Sequence, residues 1–262
     1  MSSSELIQYE IKEEAVWLTI QRPERFNALS ISLLDVLYDC LLKAENDSQA
    51  RVIVITGAGP KAFCAGADID SFYNETQASV DEHEFKEKLL RLFETLMSLS
   101  KPTIARVNGY ALGGGLGLAL GCDLVIASDN ALFGTPEINI GIFPMMIMPV
   151  LFRNIPRKKL LEMMFTGDKL SAEEAAAIGM INQVVSVTEL DQAVSVLVKK
   201  LATKSGSTLK LGREAFYTMS EMNTGEALVY LKGMLSQNLH TQDAREGLHA
   251  FLEKRSPRWS DR

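Results

Sequence analysis

The chain has 262 residues, 47% of them hydrophobic and 23% charged, the composition of an ordinary globular protein with one large domain or a core plus an appendage. Its 27 Lys and Arg against 33 Asp and Glu leave a net charge of −6, which argues against nucleic acid or an anionic membrane as the main partner. The three cysteines, Cys40, Cys64 and Cys122, form no C-x-x-C, and His83, His240 and His249 form no H-x-x-x-H, so neither a disulfide framework nor a metal site is expected.

In chain order, Leu6–Ile11 and Ala15–Ile20 alternate around Glu13-Glu14 and predict a two-stranded start. Arg22-Pro23-Glu24-Arg25-Phe26-Asn27 reads as a polar loop. Ser30 or Ser32 can cap a helix to about Glu45, with Leu33, Leu34, Leu37, Leu41 and Leu42 on one face. Val52–Thr56 is β-branched, as suits a buried parallel strand. Gly57-Ala58-Gly59-Pro60 breaks it, and Phe63–Asp68 follows as a small-residue loop. The charged, amphipathic stretch from about Val80 to Leu99 predicts a helix. A strand over Thr103–Val107, a glycine turn with its helix, and a strand over Asp123–Ala127 come next. Strands alternating with helices imply parallel pairing. After about Thr188 only helical signals remain, to Lys254. An α/β core over 1–195 and a helical segment over 196–262 are therefore expected.

The thiols read as reduced in a cytoplasmic setting. Met1-Ser2-Ser3-Ser4-Glu5 lacks the basic and apolar regions of a leader, Ser260-Asp261-Arg262 is no peroxisomal address, and no long uninterrupted apolar span occurs. An unprocessed, soluble chain is the expectation.

Chemistry concentrates in Val107-Asn108-Gly109-Tyr110-Ala111-Leu112-Gly113-Gly114-Gly115-Leu116-Gly117. A strand entering a glycine cluster that opens an apolar helix presents bare backbone N–H groups in a positive local field. Part of a dinucleotide fingerprint can be read in Gly115-x-Gly117, but the helix is short and no acidic residue follows at the required place. No G-K-[ST] and no Gly-x-Ser-x-Gly occur, which excludes a phosphate loop and a nucleophile elbow of those kinds. Ala67 N–H paired with Gly114 N–H would make a two-donor oxyanion site. Asp68 can serve simply to support its loop. Thr135-Pro136-Glu137 has the form of a helix start, with Thr as cap and Pro first. Yet Phe133, Ile138, Ile140, Ile142 and Phe143 surround Glu137 with apolar groups that would raise its pKa toward neutrality, as a proton shuttle needs. Ser171-x-x-Glu174 reads as a plain capping box. Pro144-Met145-Met146-Ile147-Met148-Pro149 offers core packing or an adaptable acyl wall.

Lys61-Ala62-Phe63-Cys64-Ala65-Gly66-Ala67-Asp68, Lys101-Pro102-Thr103-Ile104-Ala105, Gly113-Gly114-Gly115, Cys122-Asp123 and Pro136-Glu137 stand in the order and spacing of the enoyl-CoA hydratase/isomerase (crotonase) superfamily, which the whole chain resembles. Arg245–Arg255 also looks like that family's last helix. The resemblance implies a crotonase-like spiral of ββα turns with a helical C-terminal trimerisation region, as a homotrimer or a dimer of trimers. It implies acyl-CoA thioester substrates, coenzyme A entering as part of the substrate with no further cofactor. Ala67 and Gly114 match the positions that bind the thioester oxygen. Ala65, Asp68 and Ile69 match the loop along the CoA moiety, Phe251 and Lys254 match last-helix positions approaching CoA, and Arg25 matches a phosphate contact.

The sequence departs from the two-glutamate hydratases at Gly117, where the first glutamate would stand; Glu137 holds the second position. The simplest assignment is a single shuttle, Glu137 moving a proton from C2 to C4 of a 3-enoyl-CoA. One mitochondrial-type isomerase group resembles this pattern. A peroxisomal-type isomerase glutamate does not carry over, because Met145 occupies its place, and the family's Gly-Gly-Thr-Gln-Arg segment is replaced by Met146–Val150. Hydration, hydratase-lyase action on aryl substrates and a non-catalytic CoA-binding scaffold stay open.

Overall fold

The β-branched run after Arg51 becomes the middle of a six-stranded sheet in a computed structural model that describes residues 6–69 and 78–261. The expectations placed on Met1–Glu5 and Arg262 lie outside the described residues. Strands β1 (Ile7–Lys12) and β2 (Ala15–Ile20) pair antiparallel. Glu13 and Glu14 between them take positive φ of 52° and 63°, the two-residue turn whose twist matches that of the strands. Helix α1 (Ile31–Asn46) follows, with Ser30 Oγ accepting from Leu33 N–H at 3.2 Å. Its buried face is Leu33, Leu34, Leu37, Leu41 and Ala44. Leu42, expected on that face, is exposed, since it lies outside the i, i+3, i+4, i+7 rows that Leu34, Leu37 and Leu41 define.

From here the chain winds in turns. The first supplies β3 (Val52–Gly57), β4 (Ala62–Cys64) and α2 (Ala78–Ser98). The second supplies β5 (Thr103–Val107), β6 (Tyr110–Leu112) and α3 (Gly114–Gly121). The third supplies β7 (Leu124–Ser128), β8 (Leu132–Gly134) and a 3-10 turn, Pro136–Ile140. In each turn the first strand adds in parallel to the large sheet, and the second adds to a small one. Helices α4 (Met148–Asn154) and α5 (Arg157–Thr166) lead to β9 (Lys169–Ser171), α6 (Ala172–Ala177) and β10 (Gln183–Val185). The sheet orders are β1-β2-β3-β5-β7-β10 and β4-β6-β8-β9. Ser171 and Glu174 make the expected capping box.

Period-2 alternation in β3 divides the apolar residues. Ile53 and Ile55 join the main core between the sheets and α1, α2 and α3. Val52 and Val54 face the other way, with Trp17, Ile104 and Ile126, and are covered by Leu190, Val194 and Val198 of α7 (Leu190–Ala202). The division expected at 195/196 thus falls inside a helix that packs on the sheet. Three further helices follow: α8 (Gly206–Met219), α9 (Thr224–Leu239) and α10 (Gln242–Leu252). Arg213 of α8 fastens them to the core. Its Nε donates to Asp123 at 2.9 Å, and its other nitrogens reach the carbonyls of Leu96, Met97 and Leu99 at the end of α2. Tyr217 Oη donates to the same carboxylate at 2.7 Å, and burial with that charge pushes the Tyr217 phenol well up.

Candidate active site

The segment after β4 is held from both sides. Ala65 N–H donates to Phe26 O at 3.0 Å, Leu29 N–H to Gly66 O at 2.7 Å, and Asp68 N–H to Leu29 O at 2.8 Å. These bonds join the Phe63–Asp68 loop to the chain before α1. The small-residue loop expected over Phe63–Asp68 therefore begins inside β4, a strand too short to show a period. Asn27, fully buried, donates from Nδ2 to Ala58 O at 3.0 Å and Ala62 O at 2.8 Å. Arg22 Nη2 reaches Asp68 Oδ2 at 2.6 Å. The Asp68 carboxylate, expected along a CoA moiety, is turned to Arg22 and supports the loop. Gly66 takes φ +103°, a conformation that L side chains rarely adopt.

The turn into α3 lies against this loop. Gly113 N–H donates to Gly134 O at 2.9 Å, and Gly113 takes φ +51°. A Cβ on Gly115 would stand 2.0 Å from Cys64 O, so only glycine lets the helix start touch β4. The Cβ position of Gly114 is 3.7 Å from Ala67 N. The two peptide N–H groups are therefore close neighbours, and among the described residues neither has a hydrogen-bond partner. Leu29 Cδ1, 3.3 Å from the same position, supplies an apolar wall. The expected pairing of Ala67 with Gly114 is therefore brought together.

Glu137 arrives from the 3-10 turn on the third coil of the spiral. Thr135 does not cap this turn; its Oγ1 donates to Met163 O at 3.2 Å instead. A Cβ on Gly113 would lie 2.5 Å from Glu137 Oε1, so the carboxyl rests against the bare Cα at the helix start. Glu137 Oε2 is buried without a hydrogen-bond partner. Burial pushes the Glu137 carboxyl above the ordinary carboxylate range. Of the apolar groups expected to cause this, Phe133 is fully buried, but Ile140 and Ile142 are exposed at 57% and 45%. The left-handed Gly141 closes the turn and lets the chain run outward there.

Gly117 lies one turn along α3, its N–H donating to Gly113 O at 3.1 Å. A Cβ there would meet Ile147 Cγ2 at 2.5 Å and Phe93 Cζ at 3.0 Å. The place of a first glutamate is filled by hydrocarbon. Sequence reading passed over Ile147 because it sits in a methionine-rich run that reads as plain packing; Met145 and Met146 in that run are exposed. Arg22 reads only as part of a polar loop, and only the fold brings it to Asp68, 46 residues away.

Of the remaining candidates, Arg25 ends the exposed 3-10 turn Pro23–Arg25, beside Phe26, whose ring lies 5.9 Å from Lys61 Nζ. Ala65 is half-buried and Ile69 is 43% exposed at the edge of the loop. Phe251 and Lys254 are not brought to this cluster within the chain: α10 packs on α8 and α9, and Phe251 is 80% exposed. Among the described residues no group of three or more His, Cys, Asp or Glu could hold a metal ion, and no helix is long and apolar enough to cross a membrane.

The family model described as enoyl-CoA hydratase/isomerase matches residues 10–262. The chain is 36% identical over 246 residues to a probable mitochondrial enoyl-CoA hydratase of Dictyostelium discoideum, covering 94% of this chain and 87% of the relative. It is 34% identical to a short-chain-enoyl-CoA hydratase of Clostridium acetobutylicum, covering 91% of each. Among solved structures, human enoyl-CoA hydratase domain-containing protein 3 superposes with a TM-score of 0.93 at 31% identity, over 97% of this chain and all of that one.

Proposed function

The chain belongs to the enoyl-CoA hydratase/isomerase family and has its crotonase fold, and from that premise we propose that it isomerises 3-enoyl-CoA to 2-enoyl-CoA with Glu137 as its single acid and base. Glu137 takes a proton from C2, and the double bond electrons spread over C1 to C4. Ala67 N–H and Gly114 N–H hold the thioester oxygen that gains negative charge. Donors fixed at such an oxygen before it is charged are worth ~3–4 kcal/mol each in a barrier. Glu137 then returns the proton at C4, leaving the double bond between C2 and C3. A carboxyl raised by burial suits both halves, because it is a stronger base than an ordinary carboxylate and holds the proton it must return.

The observation that carries this reading is the pairing of Glu137 against Gly113 with hydrocarbon at Gly117. The nearby Asp68 carboxylate is engaged with Arg22, so it does not replace the missing first glutamate. Hydration is the competing reading, favoured by the hydratase names of the relatives. Arg25, Ala65 and Ile69 line the approach for the CoA portion, with no cofactor beyond the substrate. The exposed apolar side chains of the last helices, among them Leu228, Val229 and Phe251, support a homotrimer or a dimer of trimers. In that assembly Phe251 and Lys254 reach CoA from a neighbouring subunit. The free thiols support a reducing compartment, the cytoplasm in our reading, although the D. discoideum relative is named as mitochondrial.

Separate incubations with 3-hexenoyl-CoA and crotonyl-CoA test the proposal. Conversion of the first with little hydration of the second is expected. Hydration of crotonyl-CoA at a rival rate overturns it, and binding without turnover of either would mark a scaffold.

A further inference from the structure

Two glycines one turn apart, Gly113 capping α3 and Gly117 within it, each yield their Cβ space to a different side chain. Gly113 yields it to the Glu137 carboxyl, and Gly117 yields it to Ile147. The Gly117 N–H to Gly113 O bond of 3.1 Å sets these two glycines about one helical turn apart. Ile147 is 2% exposed, and its carbonyl accepts from the N–H groups of Val150 and Leu151 at 3.0 Å each. It is therefore fixed in the first turn of α4, while Phe93 of α2 closes the other side of the same space.

Adding water across the double bond places the water oxygen on C3 and a proton on C2. Moving the double bond transfers one proton from C2 to C4 and uses no water. A Glu137 that serves C2 and C4 leaves C3 between them. An attacking water needs room near C3 and two or more polar partners to hold it. The space beside Gly117 is the one a second acid would use, and the atoms nearest its Cβ position are the hydrocarbon of Ile147 and Phe93, at 2.5–3.0 Å. We infer that Ile147 is the specificity-determining residue of this site, excluding the attacking water by filling the space that a side chain at position 117 would take. This rests on the isomerase reading and assigns its selectivity to a particular side chain.

The consequence is that position 117 cannot be changed alone. A glutamate there meets Ile147 at a distance that no real Cβ tolerates. Removing Ile147 alone leaves an apolar hole, which stays dry. The two changes should therefore couple.

The test measures crotonyl-CoA hydration and 3-hexenoyl-CoA isomerisation by wild type, Gly117→Glu, Ile147→Ala and the double variant, each checked for folding by its melting curve. The double variant is expected to raise the ratio of hydration to isomerisation at least about tenfold, a change in relative barriers large enough to be unambiguous. Each single change should move the ratio less than the double. A folded double variant with an unchanged ratio, or Gly117→Glu alone matching the double, overturns the role of Ile147. If the double variant does not fold, Ile147→Ser carries the test: it makes room and supplies a hydroxyl, so the ratio should rise several-fold, and an unchanged ratio overturns the inference. The wild-type ratio is read separately. A wild type that hydrates faster than it isomerises defeats the isomerase reading, whatever the variants do.

Discussion

Glu137 and Gly113 form one unit, in which the carboxyl rests where a Cβ would be. Gly113→Ala should push the carboxyl aside and strain a backbone held at φ +51°. We expect turnover to fall about a hundredfold, the scale of an ångström-size misplacement, with acyl-CoA binding retained. Glu137→Gln should cost ~10²–10⁴-fold in turnover. The pH dependence has a definite sign. Burial raises the folded-state carboxyl, so the ionised base appears at higher pH than for an ordinary carboxylate. The acid limb of kcat/KM should therefore lie above the pH expected of an ordinary carboxylate, and vanish in Glu137→Gln. Stability runs the opposite way. Well below the unfolded value, near ~4.3, the group is neutral in both states and costs nothing. As pH rises through the raised folded value, the ionised group weighs against the fold. Thermal unfolding of Glu137→Gln should match wild type in acid and be no less stable at pH 8.

At the scale of elements, α3 is buried from Gly115 to Gly121, so glycine and alanine there answer to neighbours rather than to helix propensity. Gly115 faces Cys64 O, and its lack of a side chain sets the distance between the Ala67 loop and Gly114 N–H. Gly115→Ala should destabilise by about 1–3 kcal/mol through overpacking. It should also lower turnover, because the two donors separate. Gly212, exposed in α8 with nothing near its Cβ position, is the contrast: Gly212→Ala should stabilise by ~0.5–1 kcal/mol. Urea unfolding of both variants checks the pair. These positions also show what was legible in the sequence. Strand β2 and helices α1 and α2 announce themselves by period, and β3 by its β-branched run. The three-residue strands β4, β6, β8 and β9 carry no period and exist through pairing between distant turns. The glycine cluster and Pro136-Glu137 could be read as chemistry from residue types in order. Ile147 could not, because an isoleucine in an apolar run has no local mark of function. Arg22–Asp68 was hidden for the same reason, since an ion pair across that separation is a product of the fold.

Across the whole molecule, the site is built where successive coils of one spiral meet. The first coil brings Ala67, the second Gly113, Gly114 and Gly117, and the third Glu137. The helices beyond Gly206 bear on the site through Asp123. That carboxylate joins Thr103 N–H at 2.7 Å to Arg213 and Tyr217 of α8, and so ties β5 to the C-terminal helices. Arg213→Met should cost about 3–5 kcal/mol, since it leaves a shielded carboxylate and three carbonyls without their cation. Chemical denaturation gives the number, and a value below ~1 kcal/mol would deny the anchor its weight. The central claim is that one carboxylate moves one proton across the acyl chain. Turnover of 3-hexenoyl-CoA carrying deuterium at C2, followed by mass spectrometry and NMR, tests it most directly. The account expects 2-hexenoyl-CoA with part of the deuterium moved to C4, formed at least about a hundredfold more slowly by Glu137→Gln. A 3-hydroxyacyl-CoA as the chief product, or a fully active Glu137→Gln, would contradict it.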